Sequence, residues 1–136
     1  MQPSPPTEID FLRHYGLDRE TTEILRAEYG EALLPVQESA ILRHRLFDGG
    51  NMVISSPTSS GKTLVGEIAC LRYACLDRAS VFLVPTKALA NEKYRHFRQA
   101  YGRRGFHVIL STRDQRRSDA DLLRGRYHIA VVVYEK

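Results

Sequence analysis

Four short apolar runs separated by helical patterns rule out most architectures for this chain. Met52-Val53-Ile54, Ser80-Val81-Phe82-Leu83-Val84, Phe106-His107-Val108-Ile109-Leu110 and the run from His128 to Val133 are rich in branched apolar residues. Between them lie predicted helices near residues 62 to 76, from about Lys87 to Tyr101, and near Asp119 to Leu123. Strands joined by helices are the pattern of a parallel sheet with helices on both faces. Continuous Val/Ile/Leu runs, rather than alternating ones, fit strands buried on both sides. Three predicted helices come first: a short one capped by Thr7 with Asp10 three residues on, one from Asp18 to Tyr29 stopping at Gly30, and one from Pro35 to Gly49-Gly50. The expected fold class is therefore α/β. A disordered tail (1–7) and an N-terminal helical segment (8–32) lead into a sheet-bearing domain (33–136).

The segment between the first run and its helix carries the chemistry. It reads Ser55-Ser56-Pro57-Thr58-Ser59-Ser60-Gly61-Lys62-Thr63 and is followed by the helical pattern Leu64-Val65-Gly66-Glu67-Ile68-Ala69. Small residues let backbone N–H groups curl around a phosphate, and a helix starting near Lys62 adds the positive end of its dipole. Lys62 is placed to reach β- and γ-phosphates and stabilise their charge, and the Thr63 hydroxyl to sit on Mg²⁺. Ser56, Pro57, Thr58, Ser59, Ser60, Gly61, Lys62 and Thr63 are the expected nucleoside triphosphate-binding loop. The strict pattern has Gly where this chain has Ser56, which implies a slightly different loop path. Taken without their context, Gly61-Lys62-Thr63 read only as the start of a helix.

Composition narrows the setting. The chain has 136 residues, enough for one domain, with 43% hydrophobic and 26% charged residues as in ordinary soluble proteins. No apolar run approaches membrane-spanning length, and Met1-Gln2-Pro3-Ser4-Pro5-Pro6 lacks the charged start and apolar core of a secretory signal, so a cytoplasmic location is expected. Cys70 and Cys75 read as small buried thiols, and five scattered histidines lack zinc-site spacing. The net charge of +4 is unevenly divided: residues 1–51 carry five Lys/Arg against nine Asp/Glu, and residues 52–136 carry fifteen against seven. Arg103, Arg104, Arg113, Arg116, Arg117, Arg124 and Arg126 crowd one stretch, which suggests a surface for polyanions, although a charge run by itself is more often a solvated face.

Taken in order, Leu34-Pro35-Val36-Gln37, the loop Ser56 to Thr63, Val84-Pro85-Thr86-Lys87-Ala88-Leu89-Ala90-Asn91-Glu92-Lys93 and the terminal Glu135-Lys136 resemble the first motor domain of superfamily-two DExH/DEAD-box helicases, with the nearest likeness to the Ski-like branch. The resemblance covers roughly residues 33 to 136 and implies an incomplete RecA-like P-loop domain. It further implies that Gln37 reads the adenine edge, its amide both donating and accepting. Pro85, Thr86 and Lys87 would hold the backbone of a nucleic-acid strand, DNA or RNA, at a helix N-terminus. Ser111-Thr112-Arg113-Asp114 falls where related helicases carry a Thr-Gly-Asp turn. Arg113 replaces the glycine, so a changed turn and an added phosphate contact are expected. Tyr134-Glu135-Lys136 matches a Thr-Pro-Glu-Lys element only in its last two residues.

The resemblance also implies parts that the sequence does not contain. Such motors carry an acidic strand end, Asp-Glu-x-His or Asp-Glu-Ala-Asp, that holds Mg²⁺ and orients the attacking water. No adjacent Asp-Glu pair occurs in this chain. The expectation is a chain truncated before that motif, partnered in the complete protein by the rest of the motor. Alone it would bind ATP, Mg²⁺ and nucleic acid weakly without turnover. The competing reading is a non-catalytic nucleic-acid or protein-binding module derived from a helicase. A small P-loop kinase gives no reason for Gln37 or the Pro85 to Glu92 motif.

Overall fold

Strand pairing is where this chain departs furthest from expectation. The computed structural model describes residues 5–134, and these form two compact units, one running up to Leu71 and the other starting at Arg72.

In the first unit a 3₁₀ helix, Ile9–Tyr15, precedes α1, Arg19–Tyr29, and the two pack together. Thr7 does not cap the first helix: Glu8 is the N-cap residue and makes no side-chain capping bond. Thr7 instead accepts a hydrogen bond from the Leu33 amide (2.8 Å) and donates its own amide to Glu38 Oε2 (3.3 Å). The tail expected over 1–7 falls partly on residues 1–4, which lie outside the described residues. Helix α1 follows its sequence signals. Asp18 Oδ1 accepts from the Thr21 amide at 2.8 Å, and Gly30, at φ 95°, stops the helix. Ile9, Leu12, Leu25 and Leu33 are almost fully buried and make the apolar centre of this part.

The third helix is shorter than expected and changes type. Pro35–Glu38 is α-helical (α2), Ser39–Arg43 is π-helical, and the run ends at His44 rather than at Gly49-Gly50. Its bonding widens progressively, with the His44 amide on Ser39 O at 3.1 Å and the Leu46 amide on Ala40 O at 3.0 Å. Arg45, at φ 56°, then takes a left-handed conformation that no helix continues through.

Met52-Val53-Ile54 is not a strand. Exposure alternates from residue 51 to residue 56, and Val53 is 96% exposed. An extended segment counts as a strand only when a neighbour completes its ladder, and none of the described strands pairs with it. The loop Ser55 to Gly61 then leads into α3, Lys62–Cys75.

The second unit holds a parallel three-stranded sheet. Strands β1 (Ser80–Val84), β2 (Val108–Ser111) and β3 (Ile129–Val133) lie in the order β1-β3-β2, with Ser80 and Val108 both opposite Ile129. The segment Phe106-His107, expected at the start of β2, and His128, expected in β3, stay outside the ladder. Helix α4 (Lys87–Tyr101) packs on all three strands, and its Phe97 ring meets Phe82 at 5.5 Å. Helix α5 (Asp119–Arg124) lies against β2, where Leu122 covers Ile109, Ala130 and Val132 on the other face. Helices therefore sit on both faces. Strands β2 and β3 are buried, whereas Val81 and Leu83 of β1 remain 47% and 55% exposed.

At the N-terminal end of this sheet His128 acts as a pin. Its Nδ1 accepts the His107 amide at 2.8 Å, so the ring proton sits on Nε2 and donates to Asp77 Oδ1 at 3.1 Å. The His128 carbonyl also accepts both the amide and the hydroxyl of Ser80.

One partly buried polar contact holds α1 to α3 within the first unit. Tyr29 donates its hydroxyl to Oε2 of Glu67 at 2.8 Å, and Glu67 is only 2% exposed. Burial, followed by the charge of Glu67, pushes the Tyr29 phenol above the ordinary tyrosine range. Tyr29→Phe should lower stability by about 1–3 kcal/mol, read from the urea midpoint at unchanged slope. Because the folded phenol titrates higher than the unfolded one, its contribution is complete below about pH 10 and fades as pH rises through the folded value. The Phe variant should lack that alkaline loss.

Candidate functional site

Every residue expected to hold ATP lies in the first unit, and the loop is closed on Gln37. Gln37 is 2% exposed, with Nε2 donating to the Gly61 carbonyl at 3.1 Å and Oε1 accepting from the Leu34 amide at 2.8 Å. Its amide therefore ties the start of α2 to the loop. A carboxamide has two N–H groups and two acceptor lone pairs, so one donor and one acceptor position remain after these bonds.

Gly61 could be no other residue without strain. Its φ is +88°, and a Cβ there would lie 2.5 Å from Gln37 Nε2 and 2.8 Å from Leu34 Cδ1. Ser59 is also left-handed, at φ 63°. Such alternate winding turns backbone amides into a concavity suited to anions. The Ser60 amide closes a turn on Pro57 O at 3.3 Å, and α3 starts immediately after Gly61.

Lys62 folds back over this loop. Its ammonium donates to the carbonyls of Ser56 and of Pro57, the latter at 2.9 Å. Ser56, which stands where the strict pattern has Gly, also hydrogen-bonds through its hydroxyl to the Ser60 hydroxyl across the loop. Thr58 and Thr63 are exposed, and Thr63 occupies the first turn of α3. The donor set suits a polyphosphate: a glycine-gated concavity, one ammonium on neutral carbonyls, and a free-standing hydroxyl at a helix start.

The second unit gathers the remaining expected residues. Pro85, Thr86, Lys87 and Arg113 line one cleft of about 240 Å³, together with Thr112, Asp114 and Val133. Thr86 is the N-cap of α4 and accepts the Leu89 amide at 3.2 Å through Oγ1. The hydroxyl proton stays available to an acceptor. Lys87 forms an ion pair with Asp114.

The turn at Arg113 closes without a glycine. Thr112 and Gln115 exchange backbone hydrogen bonds at 3.3 and 3.2 Å, and the Thr112 hydroxyl accepts the Gln115 amide at 3.2 Å. Arg113 is not among the described non-glycine residues with positive φ, so its side chain costs the turn nothing. The Glu135-Lys136 element lies outside the described residues. Sequence reasoning passed over Leu34, which walls Gly61, and Asp114, which pairs with Lys87. The acidic position of the quoted Ser111 to Asp114 stretch was the available signal for the second.

Gly61→Ala should destabilise the chain by at least about 1–2 kcal/mol, the cost of a left-handed non-glycine residue, measured by urea denaturation. Adding Gln37→Ala removes the closest clash and should leave the backbone component together with the 2.8 Å contact on Leu34 Cδ1. The Lys87 hydrogen bond, with its charge, holds the Asp114 carboxyl below the ordinary aspartate range. The pair therefore forms above that lowered value and is lost only as pH falls through it. A carboxyl ¹³C titration should find a depressed midpoint for Asp114 that Lys87→Met raises toward the ordinary aspartate range.

Comparison with known proteins places these residues in a family context. The model of the DEAD/DEAH box helicase family matches residues 34–136. An ATP-dependent DNA helicase Hel308 of Methanocaldococcus jannaschii is 39% identical over 110 residues, 76% of this chain and 9% of that protein. A probable ATP-dependent helicase of the same organism, MJ1401, is also 39% identical over 110 residues, covering 14% of its length. The Hel308 of Thermococcus kodakarensis is 38% identical over 121 residues, 88% of this chain and 10% of that protein. The chain thus spans about a tenth of the length of these relatives. Among the described residues, no helix is long and apolar enough to cross a membrane. With the family match covering both the glycine-gated loop and the Thr86-Lys87 cleft, the chain belongs to the DEAD/DEAH box helicases.

Proposed function

We propose that this chain is the ATP-gripping part of an ATP-dependent nucleic-acid helicase, acting in the cytoplasm, and that by itself it binds nucleotide and a single nucleic-acid strand without turnover. The observation that carries the reading is Gly61, left-handed against Gln37, with the Lys62 ammonium drawn onto the carbonyls of Ser56 and Pro57. A phosphate arriving in the loop offers that ammonium a charged acceptor in place of two neutral ones. Lys62 then stabilises negative charge on the phosphates, the role in which it contributes to catalysis in the complete protein.

Ser56 to Gly61 would line the phosphates, Thr63 would supply the hydroxyl for Mg²⁺, and Gln37, 2% exposed, would have to leave its buried position for its remaining donor and acceptor to meet a base edge. When bound, ATP supplies the phosphoryl transfer to water that powers a helicase. Orienting that water takes a carboxylate at a strand end, whereas the described strands finish in Val84, Ser111 and Val133. The remainder of a motor would provide it.

Thr86 and Lys87, with Arg113 across the cleft, are the proposed strand contacts, and the Hel308 relatives favour DNA as the polymer. Phosphate oxygens would replace Asp114 as the partner of Lys87.

Lys62→Ala should abolish binding of a fluorescent ATP analogue while leaving binding of labelled oligothymidylate intact, and Thr86→Ala/Lys87→Ala should do the reverse. Adding saturating single strand should raise ATP hydrolysis by the purified chain no higher than that of the Lys62→Ala variant. Robust turnover would overturn the no-turnover reading, and oligonucleotide binding with indifference to ATP would favour a non-catalytic module.

A further inference from the structure

A second cleft in the same unit, of about 520 Å³, adjoins the one at Thr86 and Lys87, and Asp114 lines both. Its polar wall is Gln115, Arg116, Arg117 and Ser118, on the stretch between the turn at Thr112 and α5, facing Tyr94 of α4. Arg116 is steadied by Nε donating to Arg113 O at 3.3 Å, and its own carbonyl accepts the Asp119 amide at 3.1 Å. The first bond holds Arg116 to the turn that carries Arg113, and the second holds it to the start of α5. Both Arg116 and Arg117 are exposed.

The local charge favours an anion. Of the nearby carboxylates, Asp114 is engaged by Lys87, and Asp119 accepts the Ser111 hydroxyl at 2.9 Å. Guanidinium groups present planar forks that match phosphate oxygens.

We propose that Arg116 and Arg117 take the next phosphates of the strand held by Thr86 and Lys87, so that one continuous single strand crosses Asp114 and fills both clefts. This rests on the nucleic-acid reading of the first cleft and extends its footprint by two phosphates. Arg124 and Arg126, although only a few residues away in sequence, line neither cleft. They should make no such contact.

The test is the salt dependence of binding to a fluorescent oligothymidylate, from about 50 to 200 mM, for the whole chain. Each phosphate contact on a single strand contributes about 0.7 to the slope of log K against log salt. R116Q/R117Q should therefore flatten the slope by about 1.4 and weaken binding. R116K/R117K should keep most of the slope, and R124Q/R126Q, which removes the same charge, should leave it unchanged. Thermal melts of each variant check folding, and the single R117Q variant, expected to lose about 0.7, replaces any double variant that melts early.

An unchanged slope in R116Q/R117Q, with Lys87→Ala still reducing it, overturns this inference and leaves the first cleft standing. Equal flattening by R116Q/R117Q and R124Q/R126Q also overturns it, in favour of diffuse charge. Absence of salt-dependent binding by the wild-type chain overturns both readings.

Discussion

The hydrogen bond from Gln37 to the Gly61 carbonyl is the contact on which the candidate nucleotide site depends. It decides three things together. It sets how far α2 stands from the loop, it requires a residue without Cβ at position 61, and it orients the turn from which α3 starts. A loop of small residues has many conformations and loses more entropy on ordering than bulkier chain. A buried amide that is bonded at both ends selects one of them. The loop is therefore shaped before any ligand arrives, which reduces the ordering cost that binding would otherwise carry.

How legible each part was in the sequence follows from how local its cause is. Strand β1 and helix α4 have the bounds read from the residues, because Pro85 and the Thr86 cap act within a few positions. Helix α1 is legible for the same reason, through Asp18 and Gly30. The run Met52-Val53-Ile54 has the composition of a strand, but pairing is a property of its neighbours and no composition reveals it. Its alternating exposure keeps the extended pattern without the ladder. The π-helical widening after Glu38 is equally silent, because Ser39-Ala40-Ile41-Leu42-Arg43 fits an α-helix as well.

The candidate site divides along the same line. Gly61, Lys62 and Thr63 carry their proposed roles in residue type and spacing, and a residue pattern finds them. Gln37 is visible only as one position in an ordered set of motifs, and its bonds to Leu34 and Gly61 are tertiary facts. Arg113 was expected to disturb its turn, an inference drawn from glycine in related proteins. The backbone closes through Thr112 and Gln115 without positive φ at residue 113, so this turn carries the arginine side chain without left-handed strain.

Lysine is treated alike in both units: Lys62 rests on two loop carbonyls and Lys87 on Asp114. An ammonium left alone on an open surface keeps its rotamer freedom and must lose it on binding, whereas one already held has lost it in the folded chain. The two resting partners differ in strength. Neutral carbonyls compete weakly with a phosphate, so Lys62 can transfer at little cost. A carboxylate competes strongly and carries the same sign as the incoming strand, so Asp114 opposes binding until Lys87 exchanges it for phosphate. Asp114 would thus give the proposed nucleic-acid cleft a higher threshold than the proposed nucleotide loop. It follows that a strand is held firmly only when several phosphates engage together, and an isolated anion gains little from displacing Asp114.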